Sequence, residues 1–458
     1  MLSRLIGNKT RSNSRLYYTK LFYIIPPHIL KVNSIMGKRK KTTTTTKGND
    51  DNNAKVEKPL PVAKKKKKQS PAKKKAKTIL PKTEMKRVVL NEKKNEYLRV
   101  MSTNVAGLRG LIKNEERIKK FLTVVEKERP NIIALQEHKL QEQHVEDVGK
   151  SMKEILPDYA QYWTCSGPPA KKGYSGVAMF VRSSSNNNDG SSKKSTKKQK
   201  SMKDFFSKKS SSSKKQKADA TKKEEDDSPP LPSLKSSISI SDAPKVINVL
   251  YGLGDKNKKD NIATCEGRVI ALELPQVYIV NAYVPNSGQK LQRLDYRLNT
   301  WDISFGKYLK SLEKRKPVLL VGDLNVCYDV RDIHNFYPRP WFPNAPETRE
   351  EEYVGLKNLE KSAGLTSKER DSFGELLSKN GFVDTFRSFH PEATGRFSYW
   401  SIRSGNQDWN RGLRLDYAIV SESMMSTKGK GPKVVDSFTM DDYEIYSDHG
   451  PIGCILKL

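Results

Sequence analysis

Three short polar clusters in this chain combine side-chain types that can cleave a phosphodiester with the help of a metal ion. They are the acid Glu137, the run containing Asp323 and Asn325, and the pair Asp448-His449. Each cluster lies beside an apolar run that has the character of a β-strand. Magnesium prefers oxygen ligands and keeps several waters, so one or two carboxylates are enough to hold it. If folding brings the clusters together, they form a metal-assisted phosphodiesterase site.

The run Gly322-Asp323-Leu324-Asn325 follows the apolar stretch Pro317–Val321. Residues two apart in an extended chain face the same side, so Asp323 and Asn325 are expected to point together. The carboxylate can take a proton from attacking water or hold a metal, and the amide can donate to a phosphate oxygen. The structural alternative is a turn in which both side chains bond their own backbone.

One of the six histidines, His449, stands beside an acid in the turn Ser447-Asp448-His449-Gly450-Pro451. A neutral imidazole can orient water, and a charged one can contact phosphate. Asp416, at the start of another predicted strand, can hold the imidazole in one tautomer. An ordinary Asp-His turn is the alternative.

Other residues are candidates for substrate contact. Asn104 follows the predicted strand Tyr97–Thr103, and the segment from Tyr283 to Asn286 supplies further donors toward phosphate. The aromatic pair Tyr399-Trp400 can wedge against an unstacked nucleotide, with ordinary core packing as the alternative.

The net charge of +33 is concentrated in two stretches. Residues 1–95 hold 27 Lys/Arg against 5 Asp/Glu, and residues 183–245 hold 15 against 8. Flexible basic segments bind polyanions by counterion release, which favours nucleic acid as a partner, although such tails also serve as solvating segments or import signals. The four cysteines have no paired spacing, which fits a reducing compartment and predicts neither a disulfide framework nor a zinc site. No apolar run approaches the ~20 residues of a membrane helix.

Composition predicts a tailed and interrupted domain. Residues 1–35 are basic, contain no acid and resemble a mitochondrial transit segment, with an unstructured basic tail as the alternative. A second start at Met36 would expose a nuclear-type basic cluster. Residues 36–95 are predicted to be a disordered Lys-rich tail, with order beginning near Tyr97. The folded domain, 96–458, is interrupted by a disordered insertion at 183–245.

Strand and helix signals alternate through this domain, and no internal repeat is evident. Adjacent strands mixed with helices predict sheets packed together under helical layers. The predicted helices are Asn114–Glu128, Gln143–Leu156, Leu291–Glu313 and Ser367–Asn380.

Taken in order, the motifs resemble those of the exonuclease III family of apurinic/apyrimidinic (AP) endonucleases, within the endonuclease/exonuclease/phosphatase superfamily. The resemblance runs from about Tyr97 to Leu458, apart from 183–245. The motifs that carry it are Asn104–Arg109, Ile133–Glu137, Gly173–Val177, Glu266–Val269, Ala282–Asn286, Gly322–Val326, Phe373–Leu376, Arg414–Tyr417 and Ser447–Pro451.

The resemblance implies a four-layer α/β-sandwich, in which two mixed sheets are flanked by helices. It also implies a base excision repair enzyme that cleaves duplex DNA 5′ to abasic sites and leaves a 3′-hydroxyl. Magnesium is the expected ion, with Mn²⁺ as the alternative. A 3′-phosphodiesterase or 3′–5′ exonuclease activity accompanies this reaction in the family, and its strength here is open.

By motif position, the resemblance also assigns roles to individual residues. The metal-contacting set is Glu137, Asp323, Asn325 and Asp448. The catalytic set is Tyr283, Asp323, Asn325, Asp416 and His449, in which Asp323 activates water, Asn325 stabilises the transition state and Asp416 supports His449. The DNA- or phosphate-binding set is Asn104, Arg109, Asn286, Tyr399, Trp400 and His449.

The chain departs from the family pattern at three places. Ala106 stands where some members have an Asp that approaches the metal, which leaves the preferred ion open. Leu413 stands where some relatives have a Trp beside the abasic sugar, so a looser pocket is expected. The stretch Asn335–Lys357 is an extra loop whose role the sequence does not indicate.

The insertion contains a second motif, in which the spacing of Gln199, Met202, Phe205 and Phe206 resembles that of the motif that docks onto the sliding clamp PCNA. One helical turn would place Met202 and Phe205 in an apolar groove, as in other helix-in-groove contacts. Paired Phe residues have no packing role in a stretch rich in Lys and Ser. Short motifs also arise by chance, which is the alternative.

The expected partners are abasic duplex DNA and the clamp, with no membrane, and the chain is expected to be a monomer. The nucleus is the predicted location, with the mitochondrion as a second one through residues 1–35. Two rival functions are a general nuclease or phosphoinositide phosphatase of the same superfamily, and a catalytically weak DNA-binding adaptor for the clamp.

Overall fold

The structure is a computed structural model that describes residues 79–90, 96–183, 243–254, 265–334 and 359–458. Several predicted features lie outside these residues: the transit segment at 1–35, most of the tail at 36–95, the clamp motif at 199–206 and the extra loop at 335–357. The described residues belong to one compact unit, Lys74–Leu458.

The described residues form two six-stranded mixed sheets. Sheet one has the order β11-β12-β1-β2-β4-β3, and sheet two has the order β5-β6-β7-β8-β10-β9. The strands are β1 (Tyr97–Asn104), β2 (Ile132–Gln136), β3 (Tyr159–Thr164), β4 (Val177–Arg182), β5 (Asn248–Tyr251), β6 (Val269–Glu273), β7 (Tyr278–Tyr283), β8 (Val318–Asp323), β9 (Phe382–Asp384), β10 (Asp416–Ser421), β11 (Lys433–Thr439) and β12 (Ile452–Lys457).

The two sheets share one topology. Each has a single parallel pair near its centre, β1–β2 in sheet one and β7–β8 in sheet two, and its other neighbours are antiparallel. The carboxyl ends of two parallel strands meet at the same edge of their sheet. The residues that end these four strands are therefore brought together in two pairs.

Three buried clusters define the layers. Alternating residues of the strands, such as Val100 of β1 and Ile279 of β7, form the core between the sheets. Met101 of β1 faces the other way and packs under helices on the outside of sheet one. Tyr278 of β7 packs in the same manner under helices on the outside of sheet two. The predicted four-layer α/β-sandwich is confirmed.

The outer layers contain several α-helices, of which Glu115–Glu128, Val145–Ile155 and Ser367–Ser378 lie close to predicted helices, while Leu108–Ile112 and Thr385–Phe389 were not predicted. The helices are α1 (Leu108–Ile112), α2 (Glu115–Glu128), α3 (Val145–Ile155), α4 (Leu294–Tyr296), α5 (Ile303–Glu313), α6 (Ser367–Ser378) and α7 (Thr385–Phe389). Asn114 caps α2 through a bond from the Arg117 amide, and Thr366 and Glu369 form a capping box on α6. No helix of the described residues is long and apolar enough to cross a membrane.

The predicted helix Leu291–Glu313 is present, but it begins at Leu294 and contains a π-helical segment that the sequence did not predict. Leu291 has a positive φ of 57°, and a π-helical segment, Arg297–Asp302, separates α4 from α5. The sequence of this stretch has good helix formers throughout. Helix propensity therefore does not indicate the π-helical segment. We attribute this segment to the hydrogen bonds that Arg297 donates to three backbone carbonyls.

Residues 79–90, named here the strap, pack against the domain although they lie inside the predicted disordered tail. Leu80 is 2% exposed and packs with Phe397 and Trp400. The prediction that order begins near Tyr97 is wrong for the strap. Ile79 and Leu80 are an isolated apolar pair among Lys and Pro residues, so they show no hydrophobic periodicity. The residues against which Leu80 packs, Phe397 and Trp400, lie more than 300 positions later in the sequence.

Polar contacts also hold the strap. The Leu80 amide donates to the carbonyl of Trp409, and the Thr83 amide donates to that of Thr394. Arg87 Nε lies 2.9 Å from Oδ2 of Asp436, a residue of the edge strand β11.

Candidate active site

The predicted catalytic residues gather where the carboxyl ends of the two parallel pairs meet. Asn104 ends β1 and Glu137 follows β2, while Tyr283 ends β7 and Asp323 ends β8. Asn104 Nδ2 donates to Asp323 Oδ2 at 2.9 Å, and Tyr283 Oη donates to Glu137 Oε1 at 2.6 Å. Each bond joins one sheet to the other. The polar clusters that are far apart in sequence therefore form one site.

Asp323 is 2% exposed and lies at the centre of the site. Its Oδ1 accepts a bond from the amide of Asn325, and its Oδ2 accepts bonds from the side chains of Asn104 and Asn325. Burial raises the pKa of Asp323 to about 7, reinforced by the charge of Asp416 and opposed by that of His449. The self-bonded turn that was the alternative is present for Asp323 and forms part of the site, whereas the Asn325 side chain bonds to other residues.

Asn325 and Asn286 are held side by side. Asn286 Nδ2 donates to Asn325 Oδ1 at 2.8 Å, and Asn325 Nδ2 donates to the carbonyl of Val284 at 2.9 Å. Asn325 has a positive φ of 49°, a conformation that Asn adopts more readily than most residues. The two amides thus occupy fixed positions next to Asp323.

His449 lies between two acids. Its Nδ1 donates to Asp416 Oδ2 at 2.8 Å, and its Nε2 lies 3.9 Å from Asp323 Oδ2. Burial lowers the pKa of the imidazole, but the charges of Asp416 and Asp323 outweigh burial and raise it to about 10. At neutral pH, His449 is therefore positively charged and presents Nε2–H toward Asp323.

Glu137 has two partners. Besides the Tyr283 hydroxyl at Oε1, Lys139 Nζ lies 3.3 Å from Oε2. Burial and the charge of Glu137 raise the pKa of Tyr283 well above its usual range, so the phenol keeps its proton and donates it. The sequence analysis did not single out Lys139. Its position two residues after a candidate metal ligand is the signal that was available.

The donor set fits a hard divalent ion held by few protein ligands. Glu137 and Asp448 are both partly exposed, and Asp448 Oδ1 accepts a short-range bond from Ser447 Oγ. Within the described residues, no group of three His, Cys, Asp or Glu side chains is arranged to hold a metal. Magnesium suits such a site because waters complete its shell.

The two residues of the aromatic pair, Tyr399 and Trp400, differ in their exposure to solvent. Tyr399 is partly exposed, and its ring centroid lies 5.0 Å from that of His449, which places it at the rim of the site. Trp400 is 3% exposed, and its Nε1 donates to Asn410. The prediction that Trp400 lines a nucleotide pocket is wrong in this structure, because the indole packs with Leu80 and is turned away from solvent. Core packing, the alternative, applies to Trp400.

Trp400 nevertheless supports the turn that carries His449. Its amide donates to the carbonyl of Asp448, and a side chain at Gly450 would meet the indole at 3.2 Å. Of the remaining predicted DNA contacts, Arg109 is exposed on α1.

Arg268 and Glu266 are further residues whose roles the sequence analysis did not recognise. Arg268 is 1% exposed, donates to the carbonyl of Tyr283 and pairs with Glu266 at 2.5 Å. Its guanidinium lies 4.7 Å from the centre of the Tyr283 ring. Both residues lie in a motif used for the resemblance, and that position was the available signal.

Comparisons with known proteins agree with this geometry. The sequence model of the endonuclease/exonuclease/phosphatase family matches residues 237–449. The DNA repair nuclease APEX1 of Danio rerio is 30% identical over 362 residues, which cover 79% of this chain and 83% of that protein. The exodeoxyribonuclease of Bacillus subtilis is 29% identical over 362 residues and is covered completely.

A DNA-(apurinic or apyrimidinic site) endonuclease of Dictyostelium discoideum is 40% identical over 211 residues, which are 46% of this chain and half of that protein. The crystal structure of an AP endonuclease from Leishmania major is similar with a TM-score of 0.56 and 24% identity, covering 83% of this chain and 93% of that chain. This likeness bears on the fold alone.

Proposed function

The chain belongs to the AP endonucleases of the endonuclease/exonuclease/phosphatase family, and we propose that it cleaves duplex DNA on the 5′ side of abasic sites. The product ends are a 3′-hydroxyl and a 5′-deoxyribose phosphate. The convergence of Asn104, Asn325 and His449 on Asp323 carries this proposal. Such a cluster offers one base and several hydrogen-bond donors to a single phosphoryl group.

Asp323 is the proposed general base. A base works best when its pKa lies near the operating pH, and the pKa of Asp323 is raised to about 7. Its carboxylate accepts the proton of the attacking water. The bonds from the Asn104 side chain and from the backbone amide of Asn325 hold the carboxylate in place while it does so.

Asn286 and His449 are the proposed fixed donors to the phosphate, and Asn325 joins them by turning the N–H of Nδ2, which lies 3.4 Å from Asp323 Oδ2, toward a phosphate oxygen. Negative charge builds up on the non-bridging oxygens as water attacks, and fixed donors stabilise that charge without reorganising. His449 supplies a positive charge as well, since its pKa is raised to about 10. Asp416 keeps Nε2–H of His449 directed toward the phosphate by accepting from Nδ1.

Glu137 and Asp448 would hold the magnesium ion, with Mn²⁺ as the alternative. The ion supplies positive charge that offsets the negative charge of the scissile phosphate and the leaving oxygen. Tyr283 orients Glu137 through its hydroxyl. The sequence analysis also placed Asp323 and Asn325 in the metal-contacting set. Their side chains are hydrogen-bonded to each other and to Asn104 and Asn286. We therefore propose that Asp323 acts on the attacking water and Asn325 on the phosphate.

Contacts outside the catalytic cluster are assigned by their exposure. Arg109 would contact the DNA backbone, and Tyr399 would border the abasic nucleotide.

We propose that the enzyme acts as a monomer in the nucleus, and that the segment 1–35 directs a fraction of it to mitochondria. A 3′–5′ exonuclease or 3′-end cleaning activity is proposed for the same site, in line with the exodeoxyribonuclease relative.

The test is incision of a duplex that carries one abasic analogue, with and without magnesium. Wild type should incise only with the ion, and Glu137→Ala should need more of it. Asp323→Asn should lose about 100-fold or more in kcat. Asp371→Asn, the same substitution on the exposed face of α6, is the control and should match wild type.

The same assay separates the rival functions. Equal rates on undamaged and abasic duplex would indicate a general nuclease and contradict the proposal. An adaptor for the clamp would keep its cellular function after Asp323→Asn, whereas a repair nuclease would lose it.

We propose PCNA as the partner of the motif that contains Gln199, Met202, Phe205 and Phe206. The spacing of the motif and the occurrence of paired Phe residues in a sequence rich in Lys and Ser support it. Binding of a peptide spanning residues 197–209 to the clamp should be lost on Phe205→Ala and Phe206→Ala. Unchanged binding would remove the idea.

A further inference from the structure

The π-helical segment Arg297–Asp302 turns one arginine toward the back of the active site. Arg297 is 2% exposed. Its Nη1 donates to the carbonyls of Pro285 at 3.1 Å and Asn325 at 2.9 Å, and its Nη2 donates to the carbonyl of Leu324 at 2.8 Å. Short π-helical segments are rare and occur frequently at functional sites.

These three carbonyls belong to the two loops that carry the phosphate donors. Pro285 immediately precedes Asn286, and Leu324 lies between Asp323 and Asn325. One guanidinium therefore joins both loops from behind, while the two amides meet in front at 2.8 Å. A planar guanidinium has several donors in a fixed geometry, so it sets the spacing of its acceptors in a way that an ammonium does not.

The charge of Arg297 is balanced by two acids outside the cluster described above. Arg297 Nε lies 3.3 Å from Asp302 Oδ1, and Nη1 lies 4.0 Å from Glu369 Oε1. The Glu369 side chain is fully buried and accepts a bond from Ser287 Oγ at 2.5 Å. Ser287 is the residue after Asn286, so the loop that carries Asn286 is fixed on both sides.

Glu369 also connects this arrangement to the protein frame. Its Oε2 accepts bonds from the amides of Gly364 and Thr366 at the start of α6. The Asn286 loop is thereby tied to a helix as well as to the Asn325 loop. Arg297, Ser287 and Glu369 are each at most 2% exposed, so these three side chains support the loops from inside the protein.

We propose that Arg297 is a positioning residue for the reaction. It fixes the distance between Asn325 and Asn286 so that both amides reach one phosphoryl group in the transition state. This inference rests on the roles proposed above for these two asparagines. It adds a residue that never touches DNA but on which the rate depends.

The test is a double-mutant cycle between Arg297→Lys and Asn325→Ala, measured by incision of the abasic duplex. Lysine keeps the positive charge beside Asp302 and Glu369 but cannot donate to three carbonyls at once. Arg297→Lys should lower kcat at least tenfold and change KM less than threefold. The magnesium concentration for half-maximal rate should stay at the wild-type value.

The coupling between the two substitutions shows whether Arg297 acts through Asn325 or whether its replacement lowers activity independently of Asn325. If Arg297 acts through Asn325, adding Arg297→Lys to Asn325→Ala should cost little beyond the single variant. Arg315→Lys, at an exposed salt bridge with Glu273, is the matched control and should leave kcat unchanged. Thermal unfolding of every variant must show that the assay temperature lies below the transition.

Three outcomes would overturn the inference. They are wild-type kcat in Arg297→Lys, full additivity in the cycle, and wild-type kcat in Asn325→Ala. The third would also contradict the proposed role of Asn325, whereas the first two leave that role standing.

If Arg297→Lys does not fold, Ser287→Ala tests the same arrangement with a smaller change. It removes the bond to Glu369 and should lower kcat about threefold to tenfold, with coupling to Asn286→Ala. An unchanged kcat in Ser287→Ala, or additivity with Asn286→Ala, would count against the inference.

Discussion

Asn104 Nδ2 donates to Asp323 Oδ2 at 2.9 Å, a bond between the last residue of β1 in one sheet and the last residue of β8 in the other. The proposed base is thus oriented by a residue from the opposite half of the sandwich. The side-chain oxygen of Asn104, Oδ1, accepts a bond from the backbone amide of Ala106. Any shift of one sheet against the other would change the direction of the carboxylate.

The first prediction concerns this bond. Asn104→Ala should lower kcat about 100-fold, the cost of removing one fixed donor from an active site. Asn104→Asp should be no better, because a second carboxylate would face Asp323 and repel it. Steady-state incision of the abasic duplex measures both. Asn299→Ala, at an exposed position of the π-helical segment, serves as the control and should keep the wild-type rate.

The second prediction concerns the departure at Ala106. Ala106 has a positive φ of 50°, a conformation in which Asp and Asn are favoured over Ala. Ala106→Asp should lower the magnesium concentration for half-maximal incision, because it restores an acid where some relatives have one. Ala106→Asn should relieve the same backbone strain, on the order of 1 kcal/mol, without adding charge.

The two substitutions at residue 106 therefore separate backbone strain from metal affinity. Ala106→Asn should unfold at a higher temperature than wild type when no metal is present, whereas repulsion from the acids of the site should offset this gain in Ala106→Asp. Only Ala106→Asp should gain further from added magnesium. If both respond equally to the ion, the acid at this position does not contribute to the metal site.

The third prediction concerns a buried ion cluster below the catalytic strands. Arg414 is 1% exposed, donates to both Asp332 and Asp384, and lies two residues before Asp416. Arg414→Met should lower the free energy of unfolding by about 3–5 kcal/mol, because it leaves buried carboxylates without their partner. Urea unfolding measures the loss. Arg403→Met, at an exposed arginine, should change stability little.

The fourth prediction concerns the strap. Removal of residues 1–78 should leave the free energy of unfolding near the wild-type value, while removal of residues 1–90 should lower it. Leu80→Ala alone should cost about 2–5 kcal/mol, as expected for a buried leucine. Incision should also fall when the strap is removed, because Leu80 packs against Trp400, which supports the turn of His449.

The shorter truncation has a separate effect on DNA binding. It removes most of the Lys-rich tail, so affinity for undamaged duplex at low salt should fall and should depend less steeply on salt. A salt titration of duplex binding by the full chain and by the form lacking residues 1–78 measures this. Identical slopes would mean that the tail does not contact DNA.

Much of the catalytic cluster can be predicted from the sequence because short-range patterns determine it. An apolar run ending in Asp323 and Asn325 places both residues at the edge of a sheet, whatever the rest of the fold. The pairing of Asp416 with His449 requires only that two strand starts lie near each other. The structure brings these predicted residues together.

Features that depend on distant packing were not predictable in this way. The burial of Trp400 depends on Leu80, more than 300 residues earlier, and no local pattern links them. The strand β11 does not show the alternation expected of a strand, because its register shifts between Val434 and Asp436. The turn of Arg297 toward three carbonyls is set by those acceptors and not by helix propensity.

The shared strand order of the two sheets determines where extra sequence can be accommodated. The chain leaves sheet one after Arg182, beside the amino end of β2, and enters sheet two at Asn248, which pairs with Glu273 beside the amino end of β7. Both points lie at the far rim, away from the carboxyl ends that hold the chemistry. The cost of lengthening a connection grows only slowly with its length. The connection between Arg182 and Asn248 is therefore a place where regulatory sequence can be gained, lost or exchanged while the active site is unchanged.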